Sequence, residues 1–334
     1  MMRGSKCVMR NRQWTGQWPG SYGQAMASTS VVETARRSLG PVGAYLPIPF
    51  AGAPPIDLQR EAARRLERAG YPAAWTNETV GGKDPMVQLA LLLAATERLT
   101  FGTGIANIWA RAPQTAHAAA ALLSEAYPER LVLGLGSGYP QQAAAVGREF
   151  GSPLASMRDY LERMAAPTMT PAPAATYPRI VAANGQKMMA LAGELADGAL
   201  PAGLPPRFTA RARAALGAAK RLVVALPTIL DTDDVEAARA QARLAAAASL
   251  GRPWYAAAIA GLGYSEQQIA SLTDDLLGAL VAHGDVDSIA AAVAAHLAAG
   301  ADHVILMQSG AADRDLMTGI ELLERLAPAV RRAR

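Results

Sequence analysis

From Pro41 onward, short β-branched or apolar runs alternate eight times with stretches whose apolar residues recur at helical spacing. No other feature constrains the fold of this chain so tightly. A parallel strand pair needs a crossover long enough to hold a helix, so this order describes a parallel sheet covered by helices. The spacing predicts strands over 42–46, 73–77, 99–105, 130–136, 179–183, 198–201, 222–230 and 302–308.

Punctuation between the runs supports the division. Asp57 is expected to cap a helix over 57–69 that Gly70 stops, and Asp84 with Pro85 to open the next one. Residues 137–178 and 231–284 are too long for simple connections and read as insertions after strands four and seven. Doubly wound sheets usually stop at five or six strands, whereas eight strand–helix units in series close into a barrel. The expected fold class is therefore α/β, a (β/α)8 TIM barrel over 40–320, with a leader over 1–39 and a helix end and tail over 321–334.

Charge and composition exclude several roles. Of the 32 basic residues, six lie in residues 1–38 against one acid, so the remainder is near neutral and carries no basic footprint for nucleic acid. No apolar run approaches the ~20 residues of a membrane helix. One cysteine, Cys7, and four histidines leave neither an internal disulfide nor a Cys/His metal cluster, which fits a reducing, cytoplasmic compartment. The leader lacks the apolar core of a secretory signal, and Trp14, Trp18 and Pro19 share no helical face, as a transit peptide would need. Met26 is the expected native start.

In such a barrel the active site lies where strands end. Strand four runs into Gly134-Leu-Gly136-Ser137-Gly138, a turn whose backbone N–H groups can approach an anion, although the same glycines also suit close packing. It departs from G-x-G-x-x-G and is not a Rossmann fingerprint. Strand five runs into Ala183-Asn184-Gly185-Gln186-Lys187, which opens a helix N-terminus suited to phosphate or to a plain capped turn. Two such turns on neighbouring strands point to a phosphate-bearing ligand. Strand three ends in Gly102-Thr-Gly104-Ile105-Ala106-Asn107, where glycine lets backbone press on a flat ligand or simply ends a strand. Asn77-Glu78 ends strand two, with Glu78 either an acid/base group or a loop acid. His117 and His296 fall inside helices and read as packed or solvated, while His283 and His303 stay open.

These segments together, ERLTFGTGIANIWARAPQTAHAAAALLSEAYPERLVLGLGSGY over 97–139, Trp75-Thr-Asn-Glu78 with Gly81 and Asp84-Pro85, 180–198 and 284–307, carry a family likeness. The sequence resembles the luciferase-like monooxygenase superfamily, in particular its branch dependent on the deazaflavin coenzyme F420, over almost all of 40–310. The resemblance implies a flavin or deazaflavin at the barrel rim, a homodimer, and a non-prolyl cis peptide at Gly104-Ile105 behind the ring. It implies ring-side contacts from Asn77, Gly104, Ile105, Ala106 and Asn107, and phosphate-side contacts from Gly136, Ser137, Gly138, Ala183, Asn184, Gly185 and Gln186. Glu78 matches the acid that hydrogen-bonds the ring system and is the candidate catalytic residue.

Departures narrow the substrate. Sugar-phosphate dehydrogenases of this branch place a histidine after that acid and a glutamate after the glycine turn, where this chain has Thr79 and Tyr139. That argues against a sugar 6-phosphate. The expectation is hydride exchange between C5 of F420 and a small organic substrate, with Lys187 and Arg111 as candidate contacts for an anionic tail. Alternatives are a two-component monooxygenase using FMN and a non-catalytic flavin-binding barrel. An aldolase or isomerase is disfavoured because no lysine stands at a strand end to form a Schiff base.

Overall fold

A computed structural model describes residues 31–46, 52–230, 234–308 and 316–332. Residues 1–30, with Met26 and most of the expected leader, lie outside the described residues.

Eight parallel strands form a closed ring: β1 (Val42–Tyr45), β2 (Ala73–Thr76), β3 (Thr100–Thr103), β4 (Leu131–Gly136), β5 (Arg179–Ala182), β6 (Gly198–Leu200), β7 (Arg221–Leu230) and β8 (His303–Gln308). Each pairs with the next, and β8 pairs with both β7 and β1, which shuts the barrel. The expected (β/α)8 fold is thus present, with every anticipated strand in place.

The helix ring follows from local chemistry. Helix α2 (Ile56–Ala69) stops at Gly70, which takes the left-handed conformation that glycine adopts without penalty. Its cap is Pro55 rather than Asp57, whose carboxylate instead pairs with Arg60 one turn on. In α3 (Pro85–Leu93) the Asp84 carboxylate accepts from the Met86 and Val87 N–H groups, as anticipated. Next come α4 (Pro113–Ala126), the short α5 (Pro140–Ala144) and α6 (Pro153–Ala165). Helix α6, expected within the strand-four insertion, packs between α4 and α7 (Gln186–Leu195) as a member of the ring. Helix α8 (Pro206–Leu216) follows β6, and α9 (Val235–Leu250), α10 (Pro253–Ala260), α11 (Glu266–Ser271) and α12 (Asp274–Leu280) fill the long segment after β7. Then α13 (Val286–Ala298) and α14 (Leu316–Arg332) complete the ring, so the anticipated boundary at 320 falls inside a single helix. Among the described residues no helix is long and apolar enough to cross a membrane, and no group of His, Cys, Asp and Glu could hold a metal ion.

The leader expected over 1–39 overlaps a further helix, α1 (Val31–Leu39), whose Ala35 and Leu39 are buried. They pack with Ala73, Trp75, Val132, Ile180, Val223 and Ile305, the inward-facing side chains of the strands, so α1 closes the barrel floor. Two glycines make room inside. A Cβ on Gly102 would lie 2.3 Å from the Trp75 indole, and one on Gly43 would lie 2.6 Å from the His303 ring. Trp75 Nε1–H donates to His303 Nε2 at 3.0 Å, and His303 Nδ1 is 2.7 Å from the Gly40 carbonyl, which fixes the proton on Nδ1. The open question at His303 is thereby answered: it is a packed core histidine, as is His296 against Thr209.

Burial pushes both imidazoles down to about 4. They stay neutral in the fold, while the unfolded chain protonates them below about 6.5, so the unfolded state binds more protons and stability falls as pH drops from 6.5 toward 4. Unfolding followed by circular dichroism should show a loss of ~2 kcal/mol per imidazole on going from pH 7 to pH 5. His296→Gln should remove one such contribution.

Candidate functional site

Trp75, Ile180, Leu200 and Ile305 pack the barrel interior and are almost fully buried. One step further along the strands, the side chains of the same inward parity become partly exposed: Tyr45, Gly104, Ala182, Ala202, Pro227 and Met307. This change in exposure marks an open mouth at the C-terminal ends of the strands, the face on which a barrel of this type carries its site.

One wall of the mouth is the seam between β3 and β4. β3 ends at Thr103, the Gly104-Ile105 peptide is cis as the resemblance implied, and Ala106–Asn107 resumes pairing with β4. A Cβ on Gly136 would lie 2.6 Å from the Ile105 side chain, so that glycine admits Ile105 to the mouth. Gly138 is left-handed, and a Cβ there would strike Gln142 and Asn107. Asn107 donates to Gln142 Oε1 (3.1 Å), Gln142 Oε1 accepts from the Tyr139 N–H (2.9 Å), and Trp109 Nε1–H donates to the Ser137 carbonyl (2.7 Å). The turn 136–138 is therefore held from three sides.

Glu78 brackets this seam. Its backbone N–H donates to the Ile105 carbonyl at 3.0 Å, and its Oε2 accepts from the Asn107 N–H at 2.7 Å. The carboxylate is buried, with Arg111 3.9 Å away, and Arg111 is itself paired with Asp84 at 2.5 Å. Burial raises the Glu78 carboxyl above its ordinary value, against the lowering pull of the Asn107 N–H and Arg111. Glu78 thus holds the segment that follows the cis peptide, and Arg111 pairs with the carboxylates of Asp84 and Glu78.

The adjoining rim comes from β5. Ala183 is buried, and the Asn184 amide ties to Ala202 at the end of β6, accepting from its N–H at 2.9 Å. Gly185 precedes α7 without a side-chain cap, and nothing lies within 4 Å of where its Cβ would be. Gly185, Gln186 and Lys187 are exposed, so the first turn of α7 presents its N–H groups to solvent. The β4 and β5 turns, anticipated separately, end neighbouring paired strands.

Two residues were missed by sequence reasoning. Lys83 is buried beside the end of β2, where its Nζ donates to Asn77 Oδ1 at 3.0 Å and to Thr76 Oγ1 at 3.4 Å. Thr76 continues through Gln88 and Gln59 to the Pro54 carbonyl. No carboxylate pairs with Lys83 among the described residues, and burial pushes its ammonium down to about 8. Because the ammonium holds Asn77 Oδ1, the orientation of that amide is fixed. Tyr45 is the second: its hydroxyl donates to the Gly104 carbonyl at 3.3 Å from the inward face of β1. The remaining histidines are remote from this cluster in their bonding, His117 with Tyr177 at 2.6 Å and His283 with the Val281 carbonyl at 2.8 Å.

Comparison with known proteins agrees with the barrel fold. A Mycobacterium tuberculosis protein named as a coenzyme F420-dependent oxidoreductase is 28% identical over 195 residues, which is 49% of this chain and 56% of that one. The chain thus spans about half the length of the curated relatives it matches. An F420-dependent secondary alcohol dehydrogenase, solved with an F420-acetone adduct, superposes with a TM-score of 0.66 at 16% identity, covering 87% of this chain and 99% of the other. The oxygenating constituent of 3,6-diketocamphane monooxygenase from Pseudomonas putida, solved with FMN, gives 0.63 at 13% identity, covering 87% and 98%. At these identities the superpositions speak to the fold. Residues 35–303 match the luciferase-like monooxygenase family, and with its barrel, its cis Gly104-Ile105 bond and its paired rim turns, the chain belongs to that family.

Proposed function

We propose that the protein is an F420-dependent oxidoreductase that moves a hydride between C5 of the deazaflavin and a small organic substrate in the barrel mouth. The observation that carries this reading is the β3–β4 seam, where an inward Ile105 and a buttressed glycine turn form a rigid backing for a flat ring. The F420-linked name of the mycobacterial relative supports the deazaflavin over other ring cofactors. FMN in a two-component monooxygenase is the alternative, supported by the solved neighbour that holds it.

The residues present fit such a group. Gly104, Ile105, Ala106 and Asn107 would back the ring, and Asn77, oriented by Lys83, would turn its amide nitrogen to the ring edge. Gly136, Ser137 and Gly138, with Ala183, Asn184, Gly185, Gln186 and the uncapped start of α7, would receive the anionic tail. When bound, the cofactor supplies the hydride chemistry. Glu78 holds the 105–107 segment at a fixed height, and the packed floor keeps bulk water from reaching the mouth from below. The catalytic assignment of Glu78 thereby becomes a positioning one.

We further propose a homodimer in the cytoplasm. Leu58 and Val87 are exposed on the first turns of α2 and α3, which the Gln88–Gln59 hydrogen bond ties together at 2.6 Å, and an apolar pair so placed suits a self-complementary contact.

Titration of the purified protein with F420 and with FMN, followed by quenching of Trp75 and Trp109 fluorescence, should show tighter binding of F420. Preference for reduced FMN would move the assignment to the monooxygenase. Glu78→Ala leaves the buried Asn107 N–H without an acceptor and should lower stability by about 1–3 kcal/mol while weakening F420 binding about tenfold. Glu78→Gln keeps an acceptor and should lose less on both counts, as thermal melts and the same titration would measure.

A further inference from the structure

We infer that the Tyr45 hydroxyl is the proton donor of the reaction, and that the substrate is a small, uncharged carbonyl compound or the matching alcohol; this rests on the reading proposed above. Three observations on the mouth support it. First, Tyr45 faces inward from β1 at the level where the interior turns from buried to partly exposed, beside the Gly104 carbonyl that precedes Ile105. Second, four polar side chains of the rim already hold other partners: Glu78 the Asn107 N–H, Asn184 the Ala202 backbone, Trp109 the Ser137 carbonyl, and Lys83 the oxygens of Asn77 and Thr76. The Tyr45 bond to Gly104, at 3.3 Å, is long for an O–H donor and is readily exchanged for a better acceptor. Third, the inward groups on β5, β6 and β7 and just beyond them, Ala182, Leu200, Ala202 and Pro227, carry no charge and no side-chain hydrogen-bonding group. Such a wall accepts an apolar body with a single oxygen function and rejects a phosphate or carboxylate near the reacting centre.

The chemistry balances for a ketone. A hydride from reduced F420 forms the new C–H bond at the carbonyl carbon, and the C=O π pair moves onto oxygen. The Tyr45 O–H bond breaks as its proton passes to that oxygen. The cofactor is oxidised and gives its ring N–H proton to solvent, the ketone is reduced to the alcohol, and solvent returns a proton to the Tyr45 oxygen, so that one hydride and one proton are transferred in all. Burial pushes the Tyr45 phenol well above its ordinary range, so it is protonated at neutral pH, and an alkoxide is basic enough to take its proton.

The test uses the protein loaded with oxidised F420, which cannot turn over a ketone. Acetone, 2-butanone and 13C=O-labelled cyclohexanone are added in turn, and the carbonyl stretch of the bound ketone is read by infrared difference spectroscopy. The expected result is a stretch shifted down in the wild type by a hydrogen bond and returned to the value of an apolar solvent in Tyr45→Phe. With reduced F420, Tyr45→Phe should slow cyclohexanone reduction by about 100-fold or more, with F420 affinity within about twofold of wild type. F420 affinity and a circular dichroism melt separate this from a folding defect, and the wild-type shift stands without any variant. A protein that binds F420 but none of the three ketones, or whose bound carbonyl is unshifted, or whose Tyr45→Phe form reduces cyclohexanone at the wild-type rate, overturns the inference. Failure to bind F420 at all overturns the functional reading beneath it.

Discussion

The Trp75 indole sets the height of everything above it. It lies in the barrel interior in space that Gly102 vacates, and its N–H is satisfied by a neutral His303 that occupies space vacated by Gly43. A large side chain at either glycine would force indole or imidazole aside, and the inward residues one layer up would lose their support. The mouth is therefore defined from below: Tyr45, Gly104, Ala202 and Met307 face an opening because the layer beneath them is completely filled.

Above that floor, rigidity is concentrated on one side. Glu78, Asn107, Gln142, Trp109 and Ser137 form a continuous set of hydrogen bonds that joins the ends of β2, β3 and β4. Such a network fixes geometry because each buried group already has its partner, and a shift in one leaves another unsatisfied. The segment after β7 is built from separate helices, with Tyr255 reaching the Gly203 carbonyl and Arg252 lying over the Tyr139 ring. One wall is thus shaped by backbone constraint and the other by side-chain contacts from the segment after β7.

The legibility of the sequence follows the range of the interactions involved. All eight strands were readable because the alternation and the Asp84-Pro85 and Gly70 signals act within a few residues. The rim turns were readable because glycine-rich strand ends are local too, and the Gly104-Ile105 peptide came through family likeness. Long-range facts were hidden. Nothing in Val31–Leu39 states that a helix there packs into a ring formed up to 270 residues later, so α1 was read as leader. Nothing in VGAY states which of two faces Tyr45 takes until the ring closes. Lys83 carried a faint signal, a lone lysine ahead of an N-cap in a glycine turn, yet its partners Thr76 and Asn77 lie at the end of a strand that the turn alone does not reveal. Glu78 was correctly located, but its commitment to the Asn107 N–H joins the ends of two strands 29 residues apart and cannot be read from either alone.

The position of α1 also has a practical meaning for anyone handling the molecule. Val31 borders a groove with Arg179 and Asp197, at the N-terminal ends of β5 and β6, on the side away from the mouth. A label attached on the exposed face of α1, at Arg37, therefore sits on the floor side and leaves the entrance open to solution.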